Sequence, residues 1–403
     1  MLTGRDIVLI SSIDWNDVWQ VPQEIAQRLA RAGNRVLFVE NTGVRSPALG
    51  DLRRVKLRLR RWLGTRRTGG LRRPSEGVYL SSPLVLPPFG PAWRRRINRH
   101  LLLPRIARAA GAAGMRDPVL WTFLPTDSAH EIIRRLRTGR SKVVYYCAAD
   151  FTRLTPYAES LERSEREILE LSDVVFATCA ELERRCKTWN GNVHICPHGV
   201  DLTAFPAGQA PEGTAGVPQA VDDYLRMLRS LPRPVIGFVG GLHRFVDFAL
   251  LDEMARARPG WTWVFVGPSD SSALALARLA NVRLFGQQPH ADMVHYIRTF
   301  DVGIVPYLKN VHTRTVLPVK INEYLAVGKP VVSTDLEPVS EFNRTHGVLA
   351  TSDNRPAPFL RAIEAALSGA NDPDAAARRR AVASLYDWPV CVERMCALID
   401  PLL

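Results

Sequence analysis

Within Phe300–Phe342, FDVGIVPYLKNVHTRTVLPVKINEYLAVGKPVVSTDLEPVSEF, a lysine and a glutamate stand about one helical turn apart at Lys320 and Glu323. A lysine in the first turns of a helix adds a full charge to unpaired N–H groups and to the positive end of the helix dipole, so the place attracts an anion such as phosphate. A carboxylate one turn further on only accepts hydrogen bonds, which suits the diol of a ribose. The same spacing also permits a plain surface ion pair worth about 0.2 to 0.5 kcal/mol, and spacing alone favours it. The surrounding elements decide between the two. DVGIVPY reads as a buried strand closed by Pro306 and Lys309 to Thr315 as a polar loop. Thr315 can cap a helix that has Pro318 in its first turn and stops at a left-handed Gly328 before Pro330. PVVST is the next buried strand.

The run P-V-K-I-N-E-Y-L-A-V-G-K-P-V-V resembles the signature P-x-K-x-x-E-Y-L-A-x-G-K-P-V-V of bacterial GT-B glycosyltransferases of the broad family 4 type, close to its teichuronic-acid and exopolysaccharide members. The resemblance implies an α/β protein of two Rossmann-like domains facing a central cleft, with the acceptor in the first and a nucleotide-sugar donor in the second. It implies Glu323 on the ribose hydroxyls, and the helix N-terminus facing the diphosphate and sugar. Many members carry a second acid eight positions before that glutamate. Thr315 stands there in this chain, so it joins the donor-binding candidates without the carboxylate that would contact the sugar.

The 403 residues, 46% of them hydrophobic, are enough for two domains with full cores. The start, MLTGRDIVLISSIDW, has too short an apolar run for a signal peptide, and no later stretch approaches an uncharged span of about 18 residues, so a cytoplasmic chain is expected. The six cysteines show no zinc spacing and are expected to be reduced and mostly buried. The net charge of +13 calls for an anionic partner.

The chain opens as an α/β domain. DIVLISS (Asp6 to Ser12) is a strand, Val21 to Ala32 a helix with Ile25, Leu29 and Ala32 on one face, and RVLFVE (Arg35 to Glu40) the next strand. The loop after the first strand has no GxGxxG and instead holds Asp14, Trp15, Trp19 and Gln20. Loops at strand carboxyl ends face the ligand crevice of a parallel sheet, so these tryptophans either stack on a sugar or anchor the loop to the core. VYLSSPLVLPP, Val119 to Phe123 and KVVYYC add strands. Asp150, in the loop after KVVYYC, is a candidate general base on an acceptor hydroxyl were the chemistry inverting, or else the cap of the following turn.

Arg53 to Arg73 holds no acid, yet places Leu52, Val55, Leu59, Trp62 and Leu63 on one helical face, and Ala92 to Arg108 (AWRRRINRHLLLPRIAR) repeats the basic character. Such elements lie on anionic lipid, each cation contributing about 1 kcal/mol. A solvated helical face and nucleic acid are the other readings. Membrane is preferred, with no nucleic-acid partner, because no nucleic-acid-binding motif accompanies the charge.

VHICPHGVDLTAF (Val193 to Phe205) resembles the hinge of the same family, with His198 at the cleft edge. The expected division is residues 1–200 and 201–387, with a helix of about 388–403 returning to the first domain. PVIGFVGG opens the second domain, and Gly240 and Gly241 let a backbone approach a phosphate. The resemblance makes Arg244 the diphosphate ligand, with His243 as an alternative, and makes Gly267, Pro268 and Gly286 neighbours of the base. Asp372-Pro-Asp374 is nominally a DxD motif but follows no strand, so no metal or other cofactor is expected.

The reading is a metal-independent transferase moving a hexosyl group from a nucleotide sugar to a hydroxyl of a lipid-linked or polysaccharide acceptor. Asp150, Arg244 and Lys320 are its catalytic candidates, and the family weakly favours retention. A sugar-nucleotide epimerase on the same frame and a non-catalytic membrane-bound scaffold are the alternatives.

Overall fold

Short runs of β-branched and aromatic residues, buried on both faces, make the strands of two sheets. A computed structural model describes residues 1–16, 19–42, 71–83, 85–86, 92–154, 157–206 and 219–403. Two compact units result, Met1–Pro197 together with Pro389–Leu403, and His198–Trp388.

The first unit holds β1 (Asp6–Ile10), β2 (Arg35–Val39), β3 (Arg72–Ser75), β4 (Val78–Ser81), β5 (Val119–Thr122), β6 (Val143–Cys147), β7 (Val174–Ala177) and β8 (Val193–Ile195). Their order is β3-β4-β2-β1-β5-β6-β7-β8, parallel except for β3 against β4. All five residues of β1 and all five of β6 are buried, the mark of strands covered by helices on both faces. Most of the Arg53–Arg73 segment lies outside the described residues. Its described end departs from the expected basic helix, because Arg72 and Arg73 open the antiparallel edge strand β3. Arginine and proline on an edge discourage further pairing.

The second unit holds β9 (Val235–Val239), β10 (Thr262–Val266), β11 (Val282–Leu284), β12 (Val302–Val305), β13 (Val331–Thr334) and β14 (Ala350–Ser352). The order β11-β10-β9-β12-β13-β14 is parallel throughout. The chain runs outward in opposite directions from β9 and β12. Ligands bind parallel sheets outside the strand carboxyl ends at such a reversal.

Two helices of this unit lie outside the expected elements, Gln219–Ser230, which buries Val221, Leu225 and Leu228 on one face, and Pro373–Ser384. The second sets alanines and arginines on every side and so has no apolar stripe to betray it. Asp372 caps it by accepting from Asp374 N at 2.9 Å. The six cysteines are free and buried. No helix among the described residues is long and apolar enough to cross a membrane.

Candidate active site

The loops after β9 and β12 and the helix Lys320–Val327 form one constellation at the reversal. Ile321, Tyr324 and Leu325 are at most 1% exposed, each contributing about 1.5 to 3 kcal/mol of burial. Tyr324 Oη accepts a hydrogen bond from Val239 N at 2.9 Å, which ties the helix to the last residue of β9.

Thr315 does not cap this helix. It is buried at the end of the turn 311–315, and the N-cap is Val319, which makes no side-chain cap bond. The helix is instead entered through an i→i+3 bond from Ile321 N to Pro318 O, 3.1 Å. Val319 itself brings no side-chain cap to the first-turn N–H groups. Gly328 ends the helix at φ 84°, as its position before Lys-Pro requires.

Lys320 and Glu323 do not pair with each other. Lys320 Nζ donates to Tyr307 Oη at 2.6 Å and lies 4.7 Å and 4.8 Å from the ring centres of Phe238 and Tyr307. A β-carbon on Gly240 would stand 3.0 Å from Lys320 Cε and 3.1 Å from Nζ. The ammonium therefore rests against the first glycine of the loop with no carboxylate partner among the described residues.

The other strand-end loops are hydrogen-bonded around it. Gly240 N donates to Val266 O, Leu242 N to Pro268 O and Gly267 N to Gly286 O, at 2.8, 2.8 and 2.7 Å. Gly240, Gly267 and Gly286 have φ of 120°, 151° and 64°. Gly241 stands against the His243 ring. Burial first, and then the charges of Lys320 and Arg244, hold the His243 imidazole below its ordinary value. Arg244 is exposed, with its guanidinium 5.1 Å from the Phe245 ring, and no carboxylate engages it among the described residues. Two cations, glycine backbone and an uncapped helix start thus converge where an anion would be expected.

Glu323 is 9% exposed. Its Oε1 lies 3.2 Å from His290 Nε2, and the imidazole meets the Phe205 ring edge-on at 5.6 Å. Tyr307, Phe238 and His290 were missed as site residues in the sequence. Tyr307 at least had a signal, following Pro306 at a strand end. Among the described residues no group of three His, Cys, Asp or Glu is placed to hold a metal.

Asp14, Trp15, Trp19 and Asp150 belong to the other unit. Trp15 packs edge-on against Phe38 at 5.1 Å and Trp19 at 5.6 Å, and the backbone N–H of Trp15 donates to Glu40 Oε1 at 3.1 Å. Trp19 Nε1 donates to Glu24 Oε2 at 2.5 Å, yet the residue is 39% exposed. Trp15 is thus an anchor, while Trp19 keeps a free face. Gln23 Nε2 donates to Asp14 O at 3.2 Å, securing the same loop.

Asp150 caps its turn, accepting from Thr152 N at 3.2 Å, and pairs with Arg153 at 2.7 Å and Arg185 at 2.5 Å. Burial works to raise its carboxyl, but the bonds from Thr152 and Arg153 and the Arg185 charge prevail and hold it below the ordinary range. That geometry favours the cap over the base.

His198 accepts a long bond from Asn322 Nδ2 through its carbonyl, 3.4 Å. Loss of water around its ring pushes the imidazole down to about 4. Since the unfolded chain protonates near the usual value and the native ring does not, stability should fall as pH drops from about 6.5 to about 4, by at most roughly 1.4 kcal/mol per pH unit. Urea unfolding at stepped pH checks this, and His198→Asn should flatten the dependence.

Residues 233–369 match the family described as glycosyl transferases group 1. The Bacillus subtilis (strain 168) protein named as the teichuronic acid biosynthesis glycosyltransferase TuaH is 30% identical over 239 residues, 57% of this chain. The match spans 57% of that relative's own length. Sucrose-phosphate synthase from Thermosynechococcus elongatus superposes with a TM-score of 0.69 at 17% identity, covering 99% of both chains. Anabaena HepE in complex with UDP gives 0.65 at 14% identity, over 98% of this chain and 100% of that one. At such identities the likeness is one of fold.

Proposed function

We propose that this chain, a GT-B protein whose residues 233–369 form a group 1 glycosyl transferase domain, moves a sugar from a nucleotide sugar to a hydroxyl of a lipid-linked or polysaccharide glycan of the cell envelope. The observation that carries the reading is the Lys320 ammonium, set against Gly240 with no carboxylate partner among the described residues, on the same helix as Glu323 and with Arg244 nearby. As the bond from sugar to diphosphate breaks, negative charge grows on the leaving oxygens. Lys320, Arg244 and the first-turn N–H groups are positioned to stabilise that charge more than they stabilise the intact donor, which is what lowers a barrier. Glu323 takes the ribose, and Gly267, Pro268 and Gly286 line the base. The two cations supply charge compensation, so the reaction proceeds without a metal in this reading.

The HepE structure was determined with UDP, and the name TuaH concerns teichuronic acid. Both support a uridine-type donor and an envelope glycan as product. A retaining course is in keeping with Asp150, whose carboxylate is gripped by two arginines and poorly suited to take a proton. A calorimetric screen of UDP, GDP, ADP, CMP and dTDP and their sugar conjugates, repeated in EDTA, tests the reading. One diphosphate class should stabilise the protein in both conditions, by about 2.7 kcal/mol at a hundredfold excess over its dissociation constant. Absence of any such class would move a non-catalytic scaffold to the front.

The reading also puts the acceptor side at the inner face of the plasma membrane, supported by the helix Ala92–Ile97, where Arg94, Arg95 and Arg96 follow a Trp93 that is 53% exposed. Each arginine contributes roughly 1 kcal/mol near anionic lipid, so replacing all three by Gln should weaken binding to phosphatidylglycerol vesicles on the order of a hundredfold at low salt. Unchanged sedimentation with the vesicles would remove this helix as an anchor.

A further inference from the structure

We infer that His290 is a positioning residue for the donor's ribose: it holds one oxygen of Glu323 so that the other faces the diol. The inference rests on the donor reading above and adds to it a residue from a different strand-end loop.

The two side chains come from separate elements. Glu323 lies on the buried helix, with its side chain 12% exposed, whereas His290 starts the short turn after β11, with its side chain 45% exposed. Oε1 and Nε2 are 3.2 Å apart. An ionised carboxylate can only accept, so Nε2 carries the hydrogen and donates it. The imidazole is kept in place by the edge of Phe205, a ring 1% exposed, with the planes at 74°.

Lys320, the one cation on the same helix, is occupied by Tyr307 at 2.6 Å. Among the described residues His290 is therefore the only side-chain partner of the Glu323 carboxylate. The terminal torsion of a glutamate is broad and weakly preferred. One fixed donor on Oε1 removes that freedom before the ligand arrives and leaves Oε2 to receive a ribose hydroxyl. A site built in this way penalises a sugar that lacks the hydroxyl, because the oriented oxygen is then left without a partner.

The test measures the affinities of UDP and 2′-deoxy-UDP, by calorimetry, for the intact protein and for His290→Ala, His290→Gln and Glu323→Ala, each checked for unchanged thermal unfolding without ligand. The wild type should prefer UDP. His290→Ala should weaken UDP by about tenfold, the usual order for a hydrogen bond to a charged group, and lose most of the preference. His290→Gln, whose amide can still donate, should recover most of both. In steady-state assays the Ala variant should raise KM for the donor while leaving kcat within about twofold, as expected when binding shared by ground and transition states is lost.

If Glu323→Ala abolishes the preference while His290→Ala keeps it, the role given to His290 is wrong and the donor reading stands. If His290→Gln behaves as Ala does, the donated bond is not what matters and the inference is overturned. If the wild type shows no preference for UDP over its deoxy form, no oriented oxygen meets the 2′-hydroxyl and the role given to His290 is overturned, while the donor reading falls only if UDP itself does not bind.

Discussion

Replacing Lys320 by Met is expected to lower kcat/KM for glycosyl transfer by about 10² to 10³, the usual loss when one preorganised group opposite a developing anion is removed. Met keeps the length and the apolar stem of the side chain but has no charge. The ammonium it removes lies near 4.7 Å from the Phe238 and Tyr307 rings. Losing these contacts together with the hydrogen bond to Tyr307 Oη costs about 2 to 3 kcal/mol, a shift of several degrees in the melting temperature. Activity should therefore fall far more than stability does. Most of the loss should fall on kcat, since on the proposed reading the charge acts on the leaving diphosphate more than on the bound donor. Lys320→Arg should not rescue, because a planar fork needs width where a Gly240 β-carbon would already stand 3.1 Å from Nζ. Steady-state kinetics with the donor found by the nucleotide screen decides the matter. Turnover within threefold of wild type in the Met variant would mean that the leaving group departs elsewhere.

The donor side is readable in the sequence because its signals are local. Gly328 had to be left-handed, Pro306 had to end a strand, and the Gly240-Gly241 pair had to follow one. Each is a property of a residue in its own backbone, and each stands where the spacing put it. What was not legible depends on partners distant in sequence. Thr315 fits a cap by residue type, but the N-cap is Val319 and the helix is entered through Pro318 O. The surface pair between Lys320 and Glu323, which spacing favoured, is replaced by Tyr307, 13 residues away, and His290, 33 residues away. Asp150 likewise looked available until Arg185, on the helix Ala180–Lys187, closed on it. Periodicity also hides a helix that has no apolar stripe, as at Pro373–Ser384.

Gly267→Ala is expected to be the most damaging single methyl in the donor unit, destabilising it by about 3 kcal/mol or more. The residue sits just past β10 at φ 151°, where side chains are rarely tolerated, and an added β-carbon would stand 2.1 Å from Gly240 O. Backbone cannot swing aside as a flexible side chain does. Gly240 is bonded through its N–H to Val266 O, and Gly267 through its own to Gly286 O, so relief of the clash must break the link between the loops after β9, β10 and β11. The displaced Gly240 is the surface on which Lys320 rests, and nucleotide affinity should fall along with stability. Gly286→Ala supplies the contrast. Gly286 also has a positive φ, 64°, but open space where a β-carbon would go, so it should cost only the left-handed penalty of about 1 to 2 kcal/mol. Urea midpoints of the two variants, with calorimetry of the nucleotide, measure the difference. An equal or reversed order would mean that the Gly240 carbonyl moves freely, and then Lys320 has no fixed surface beneath it.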